Sequence, residues 1–244
     1  MEEIEQYLNV GDNFLQKEKY IDALREYQKA YQLLSGKKSE ELADLCYRIS
    51  QAYNGLEPKN DENSRKFAEE ALSIHSDLNL REMQVMDLLN LGYIEIDASK
   101  LSEAEKYLLR AAELARETRD GFLVATSLNA LAELRDTQGR KNDALGIYEE
   151  VIKETEKAKD WENYFEALRG KIAIVREKNE EEALNMALKS LDLIDSIAQG
   201  IKSKRERKDF KSNLDFMYDL ASDIAMELND VDMAIKIAQR SKSE

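Results

Sequence analysis

Residues 7–30 read YLNVGDNFLQKEKYIDALREYQKA, and this stretch decides the fold. Tyr7 and Gly11 follow the four-residue spacing that places side chains on one side of a helix. Ala23 and Tyr27 have the same spacing on a second helix. Small residues at Gly11 and Ala23 allow the two helix backbones to approach closely, while the aromatic side chains fill the space beside them. The stretch therefore predicts a helix-turn-helix hairpin.

A small residue recurs six times at the place that Ala23 occupies in this hairpin. The six positions are Ala23, Ser64, Ala104, Ala144, Ala183 and Ala234. They are separated by 41, 40, 40, 39 and 51 residues. A fixed period of this size is typical of proteins built from stacked helical repeats. The sequence therefore predicts an all-α repeat fold without strands.

The composition agrees with a helical protein and argues against several functions. Charged residues make up 35% of the 244 residues, and the chain has only nine glycines and one proline. The formal net charge is −14, whereas a nucleic-acid-binding protein normally has the opposite sign, because phosphate neutralisation supplies much of its affinity. No stretch approaches the roughly 18 apolar residues of a membrane span. We therefore expect a cytoplasmic protein that binds neither nucleic acid nor membrane, and the acidic charge favours a basic partner.

The first hairpin resembles the tetratricopeptide repeat (TPR), whose pattern runs Trp-x2-Leu-Gly-x2-Tyr and then Ala-x3-Phe. The residues that match this pattern are Tyr7, Val10, Gly11, Phe14, Ala23, Tyr27 and Ala30. Five later units match it less completely, so the resemblance covers essentially the whole chain. It implies one domain over residues 1–244, a right-handed α-solenoid of about six TPR-like repeats and about twelve helices. The units span about residues 4–38, 43–78, 85–118, 125–158, 164–199 and 203–244.

Several positions refine this prediction. The period near 40 exceeds the 34 residues of the standard repeat, so we expect each helix to be about one turn longer. Asn60, Asn179 and Asp230 fall where the second helix of their units needs an N-cap. Glu95 and Arg135 replace the aromatic residue that closes the first helix in units three and four, so the packing there is expected to differ. The last spacing, 51, predicts an elongated final pair of helices.

Residue types that carry catalysis or bind metals are scarce. His75 is the only histidine. This excludes a His-Glu-x-x-His zinc site, which needs two histidines, and it argues against a histidine-paired nucleophile built within this chain alone. We expect His75 to have a packing or surface role. Cys46 is the only cysteine and occupies a core-facing repeat position, which predicts a buried thiol rather than a nucleophile. The sequence therefore predicts a non-enzymatic protein with no catalytic residue, cofactor or metal.

In the family that the chain resembles, the first helix of each repeat lines a concave groove that binds peptide or protein segments. The positions that the family pattern assigns to this groove are Leu8, Asp12, Arg48, Gln51, Leu89, Asn90, Tyr93, Asn129, Glu133, Leu168 and Arg169. The amides of Asn90 and Asn129 are suited to an extended backbone because they donate and accept. Arg48 and Arg169 are suited to a carboxylate in a fork geometry. The resemblance thus implies a peptide-binding scaffold, and the alternative is that these residues are solvated surface.

A basic cluster interrupts the acidic chain near its C-terminal end. It consists of Lys202, Lys204, Arg205, Arg207, Lys208 and Lys211. Ser203 and Glu206 have the spacing of a capping box and predict the start of a long helix. Cations at a helix N-terminus oppose the helix dipole. A docking patch for an acidic surface would explain the cluster, and a solvated helix start is the alternative.

The last 40 or so residues also resemble the repeat that precedes a caspase-like CHAT peptidase domain in many multidomain proteins. The resemblance rests on Phe210, Tyr218, Leu220, Ala234, Ala238 and Ser241-Lys242. It implies a second function, the regulatory arm of a peptidase within a longer protein. Ala234, Ile235 and Ala238 are also expected to leave an uncovered stacking face at the last repeat. This face implies a third function, a module that self-associates through its C-terminal unit, which light scattering over a concentration series would test.

Overall fold

The computed structural model describes residues 2–241, and these residues form thirteen α-helices and no strand. The helices are α1 (Glu2–Leu15), α2 (Tyr20–Leu34), α3 (Glu40–Asn54), α4 (Asp61–Asp77), α5 (Arg81–Asp97), α6 (Leu101–Thr118), α7 (Gly121–Thr137), α8 (Lys141–Ala158), α9 (Trp161–Arg176), α10 (Glu180–Gly200), α11 (Lys204–Asn213), α12 (Asp215–Glu227) and α13 (Val231–Ser241). The predicted all-α fold is confirmed. Among these helices, none combines the length and apolar character required to cross a membrane.

The chain divides into two compact units. Unit 1 is Met1–Leu134 and unit 2 is Arg135–Glu244. In unit 1, the helices pack as the hairpins α1–α2, α3–α4 and α5–α6, and α2 and α4 also pack against the helix that follows them. In unit 2, α9 packs against α8 and α10, and α12 packs against α10 and α13. Both units thus contain helices packed mainly against their neighbours in the sequence, as a repeat fold requires.

The recurring small residue lies at the helix contact in every repeat. Five of the six positions have no exposed surface, and Ala234 is 5% exposed. The neighbouring glycines show why space is short. A Cβ added to Gly11 would lie 2.4 Å from Cε1 of Tyr27, and one added to Gly92 would lie 2.3 Å from Cδ2 of Leu108. The predicted close approach of the two helices is therefore confirmed.

The three predicted N-caps form in the structure. Asn60 Oδ1 accepts a hydrogen bond from the Asn63 amide at 3.1 Å, and Asn179 Oδ1 accepts one from the Glu182 amide at 3.0 Å. Asp230 Oδ1 accepts one from the amide of Met233 at 3.0 Å. Each cap satisfies an amide that the helix itself leaves without a partner. Short polar residues therefore mark the start of the second helix in repeats two, five and six.

Polar contacts replace the aromatic packing that is missing in repeats three and four. Glu95 is only 2% exposed, and Arg65 binds its carboxylate with both Nε and Nη2, the second at 3.0 Å from Oε2. This carboxylate raises the pKa of the Arg65 guanidinium. Arg135 is 8% exposed and donates from Nη1 to Oε1 of Gln138 at 2.8 Å. Ionic or hydrogen-bonded partners thus compensate for burying these polar side chains.

The end of the chain differs from the prediction. The long helix expected from Ser203 is two helices, because Leu214 leaves helical geometry with φ −113° and ψ 15° between α11 and α12. The last pair is not elongated either, since α12 and α13 have 13 and 11 residues. The extra residues form α11 instead. α11 contains one apolar residue, Phe210, so it cannot continue the buried stripe of α12, whereas the break turns Leu214 into the core at 3% exposure.

Left-handed residues end the helices at a regular interval. Asn79, Ser99, Arg119, Gly139 and Lys159 have φ values between 59° and 75° and lie 20 residues apart. L-residues adopt this conformation at a steric cost that glycine avoids. Of these five turns, only the one at Gly139 has the residue best suited to it.

We expect Gly139→Ala to lower the free energy of unfolding by about 1 kcal/mol, because alanine must adopt the left-handed conformation. The control is Gly146→Ala in α8, where φ is not positive and no atom lies within 4 Å of the added Cβ. This second change should raise the free energy of unfolding by about 1 kcal/mol, through helix propensity. Urea unfolding followed by the fluorescence of Trp161, the only tryptophan, reports on unit 2. Effects of the same sign at both glycines would contradict the prediction.

Candidate functional site

The first helices of successive repeats in unit 1 are joined by polar contacts between their side chains. Arg48 of α3 donates from Nη1 to both carboxylate oxygens of Asp12 in α1, at 3.2 and 2.9 Å. Asn90 of α5 donates from Nδ2 to Oγ of Ser50 in α3 at 3.1 Å. Two pairs of neighbouring first helices are therefore in direct contact through Asp12, Arg48 and Asn90, which the family pattern assigned to the groove, and through Ser50, which it did not. We call the surface formed by α1, α3 and α5 the first-helix surface.

Asp12 is held from two directions on this surface. Besides Arg48, the hydroxyl of Tyr27 donates to Asp12 Oδ1 at 2.7 Å. Burial, together with this hydrogen bond to a carboxylate, raises the pKa of Tyr27. Both side chains of the Asp12–Arg48 pair are 34% exposed, so a ligand can reach them. Because Asp12 balances its charge, Arg48 is less suited to the ligand carboxylate suggested by the sequence than to a neutral acceptor such as a peptide carbonyl.

A pair of buried serines fixes the orientation of Asn90. Ser64 donates its hydroxyl to the carbonyl of Ser50 at 2.9 Å, and the two Oγ atoms lie 3.4 Å apart. Since the single proton of Ser64 is engaged, Ser50 donates to Ser64 and accepts from Asn90. This assignment points Nδ2 of Asn90 toward Ser50 and leaves Oδ1 as an acceptor for a ligand N–H. This orientation is not visible in the sequence, because the serines belong to repeat two and Asn90 to repeat three.

The other predicted groove residues of unit 1 differ in their access to solvent. Gln51 is half-buried, and its side-chain amide forms no hydrogen bond with another of the described residues. Tyr93 is 38% exposed, whereas Leu89 is only 4% exposed and its side chain belongs to the interior. Asn129 is half-buried and Glu133 is exposed on α7. Gln51 and Tyr93 are therefore partly exposed to solvent, while Leu89 is part of the interior.

The remaining predicted groove residues lie at the edge of unit 1 or in unit 2. Leu8 is half-buried and packs against the core around Tyr27. In unit 2, Leu168 packs against the core, and Arg169 pairs with Glu166 through Nη2 at 2.8 Å. A single groove that includes both Arg169 and the first-helix surface stays a prediction.

Cys46 and His75, the only cysteine and the only histidine, are both buried. Burial, with a further contribution from the carboxylate of Glu70, raises the pKa of the Cys46 thiol, so the thiolate is disfavoured. His75 is 2% exposed, in agreement with a packing role, but its Nδ1 lies 2.6 Å from Oδ2 of the equally buried Asp87. The repeat pattern does not predict this pair, although Asp87 within the mainly apolar run VMDLLNL (85–91) is a visible signal.

Neither Cys46 nor His75 forms part of a recognisable reaction centre in the described residues. Cys46 is buried, and its raised pKa keeps it in the thiol form, so it lacks the thiolate that nucleophilic attack requires. Within the part of the chain that the structure describes, no group of three or more His, Cys, Asp or Glu side chains could hold a metal ion. The accessible polar groups of the first-helix surface are suited to hydrogen bonding with a ligand.

Comparisons with known proteins agree with the repeat fold. Residues 84–153 match the family model described as tetratricopeptide repeat. The match supports the family resemblance over this segment, from α5 to α8. No curated protein sequence matches the chain. The resemblance to the repeat before a CHAT domain lies outside the matched segment and stays a prediction, and Lys242, one of its residues, lies outside the described residues.

Solved structures share the fold at low sequence identity. A Rap protein complexed with Competence and Sporulation Factor has a TM-score of 0.65 and 17% identity, and the match covers 98% of this chain and 74% of that one. The Rap conjugation gene regulator of the plasmid pLS20, in complex with the Phr* peptide, has a TM-score of 0.60 and 16% identity, with coverage of 96% and 71%. A putative kinesin light chain of Podosopora anserina with nearly identical TPR-like repeats has a TM-score of 0.62 and 13% identity, with coverage of 82% and 97%. The chain therefore has the fold of TPR-like α-solenoids.

Proposed function

We propose that the protein is a non-enzymatic, cytoplasmic scaffold that binds an extended peptide or protein segment on the first-helix surface. The observation that carries the proposal is the row of oriented polar side chains on α1, α3 and α5. The similar Rap regulator of pLS20 was solved in complex with the Phr* peptide, and this supports a peptide as the ligand. Asn129 and Glu133 on α7 are proposed to extend the same surface.

The chemistry of the surface favours a neutral peptide backbone. Arg48 uses only Nη1 for Asp12, so Nε and Nη2 are available to donate to peptide carbonyls. Asn90 presents Oδ1 to a peptide N–H, and Gln51 is able to donate and accept. Together these side chains offer both donors and acceptors to the N–H and C=O groups of a peptide main chain. The proposed ligand is therefore recognised mainly through its main chain.

The charge of unit 1 adds a preference for the side chains of the ligand. Acidic residues outnumber basic residues within residues 1–134. Such an excess attracts a positively charged partner over a distance of about one Debye length, about 8 Å at physiological ionic strength. We propose that the bound segment carries Lys or Arg side chains beside its main-chain contacts.

The test is a selection of random peptides displayed on phage against the full chain. We expect a selected peptide to bind about 30-fold more weakly to the double variant Gln51→Ala/Asn90→Ala, because two hydrogen bonds at about 1 kcal/mol each are lost. Isothermal titration calorimetry measures the dissociation constants.

The matched control is Gln28→Ala/Gln32→Ala, which removes two exposed amides from α2 in the same unit. This control variant should bind the selected peptide with unchanged affinity. Selected peptides that bind the wild-type chain and the Gln51→Ala/Asn90→Ala variant equally well would overturn the proposal.

A further inference from the structure

The helix α11, KRERKDFKSN, buries none of its residues. Its only apolar side chain, Phe210, is half-buried and packs against the core of unit 2. Hydrophobic burial therefore explains little of why this helix is present. It also departs from the repeat pattern, because its residues account for the long final spacing.

Two cations of α11, Arg207 and Lys211, contact other residues of unit 2. Arg207 donates to the carbonyl of Ile201 from Nη2 at 2.9 Å and from Nε at 3.3 Å. Lys211 Nζ lies 3.3 Å from Oδ1 of Asp195 in α10 and 5.7 Å from the ring centroid of Tyr218 in α12. Arg207 and Lys211 are four residues apart and so share one side of the helix. This side faces the unit, and α11 is held in a fixed orientation.

The other cations of the basic cluster lie at the protein surface. Lys202, Lys204, Arg205 and Lys208 are all exposed. Arg205 is 92% exposed, with its Nε 3.8 Å from Asp209. Between residues 2 and 241, neither Lys202 nor Lys208 forms a salt bridge with another side chain. Because cations at a helix N-terminus oppose the helix dipole, these charges are not explained by the stability of α11.

We propose that the outward side of α11 binds an acidic polypeptide segment. Three exposed cations, Lys202 just before α11 and Arg205 and Lys208 within it, complement a run of Asp or Glu side chains. α11 is about 15 Å long, so it spans about five residues of an extended segment at 3.3 Å each. This contact is separate from the proposed peptide site on the first-helix surface.

Two other anionic partners fit less well. Amphipathic helices that lie on membranes insert an apolar face beside their cations, whereas Phe210 is the only apolar residue of α11 and it packs against the core. Nucleic acid is repelled by the net charge of −14. A short acidic segment brings less negative charge near the protein than a membrane or a nucleic acid does. The acidic remainder of the protein therefore repels it least.

The experiment uses the full chain and a fluorescein-labelled peptide of about eight residues that alternates Glu and Gly, long enough to span α11. Fluorescence anisotropy at low ionic strength measures its affinity, because screening is weak there. The variant Lys202→Ala/Arg205→Ala/Lys208→Ala removes three outward cations but keeps Ser203, Arg207 and Lys211, which hold the helix. The control Lys153→Ala/Lys157→Ala/Lys178→Ala removes three exposed cations elsewhere in unit 2. Circular dichroism verifies that both variants keep the helical content of the wild-type chain.

We expect the α11 variant to bind the peptide about tenfold more weakly, and the control to lose about twofold at most. Equal losses in the two variants would show attraction to the overall charge and would overturn the proposal. Absence of peptide binding by the wild-type chain would also overturn it. Vesicles containing phosphatidylserine and a single-stranded oligonucleotide serve as further probes. If either binds through α11 and the peptide does not, the proposed acidic polypeptide is wrong.

Discussion

Replacing His75 by leucine is expected to lower the free energy of unfolding by about 3–5 kcal/mol at neutral pH, the cost of removing one partner of a buried ion pair. His75 and Asp87 are 2% and 1% exposed, and Nδ1 of the imidazole lies 2.6 Å from Oδ2 of the carboxylate. Leucine fills much of the volume of the imidazole, so the main loss is electrostatic. The carboxylate of Asp87 would remain in the interior without its cation or donor. Urea unfolding followed by far-ultraviolet circular dichroism measures the change.

The double variant His75→Leu/Asp87→Val separates charge from packing. Replacing a whole buried ion pair by apolar residues of similar volume is often neutral or stabilising. We therefore expect the double variant to regain most of the stability that His75→Leu loses. A double variant as unstable as the single one would contradict this account and would indicate that the shape of the imidazole matters more than its charge.

The same pair makes the stability of unit 1 depend on pH. Burial alone would lower the pKa of His75, but the hydrogen bond and charge of Asp87, with the charges of Asp44 and Glu40, outweigh burial and raise it above 6.5. A raised histidine pKa stabilises the folded state below the unfolded pKa, and this contribution is lost as pH rises through the folded pKa. Burial also raises the pKa of Asp87. This shift likewise makes the free energy of unfolding fall as pH rises. The free energy of unfolding of the wild-type chain should thus fall as pH rises above about 6.5, the ordinary histidine pKa, and less so in the double variant.

The sequence predicts the repeats well because each depends on local features. The spacing of Ala23, Ala104 and Ala183 is visible in one dimension, and all three side chains are buried. An N-cap such as Asn179 depends on a residue three positions away. These features need no knowledge of distant parts of the chain, since a repeat packs mainly against its neighbours.

The polar contacts were harder to predict because their partners come from different helices. Arg48 and Asp12 are 36 residues apart, and Asn90 and Ser50 are 40 residues apart. The family pattern indicates that such residues face a groove, but it does not indicate which of them bind each other. The pattern suggests a carboxylate as a partner for Arg48, but it does not indicate that Asp12 supplies one. The end of the chain was hard to predict for another reason, since α11 follows no repeat pattern.

Tyr27 joins the repeat to the first-helix surface and carries the second large prediction. Its side chain has no exposed surface, and its ring occupies the space left by the missing Cβ of Gly11. Its hydroxyl donates to Asp12, which in turn accepts from Arg48. One residue thus closes the first helical hairpin and fixes a charged pair that the proposed ligand would meet.

Tyr27→Ala is expected to lower the free energy of unfolding by about 3–5 kcal/mol, as for other buried aromatic residues, because the ring leaves a cavity between α1 and α2. The control is Tyr27→Phe, which keeps the ring and removes only the hydroxyl. Since Asp12 retains Arg48, we expect this change to cost about 1 kcal/mol. Urea unfolding of both variants, followed by circular dichroism, measures the two costs. If Tyr27→Phe were as destabilising as Tyr27→Ala, the hydrogen bond to Asp12, and not the ring against Gly11, would be what holds the first hairpin together.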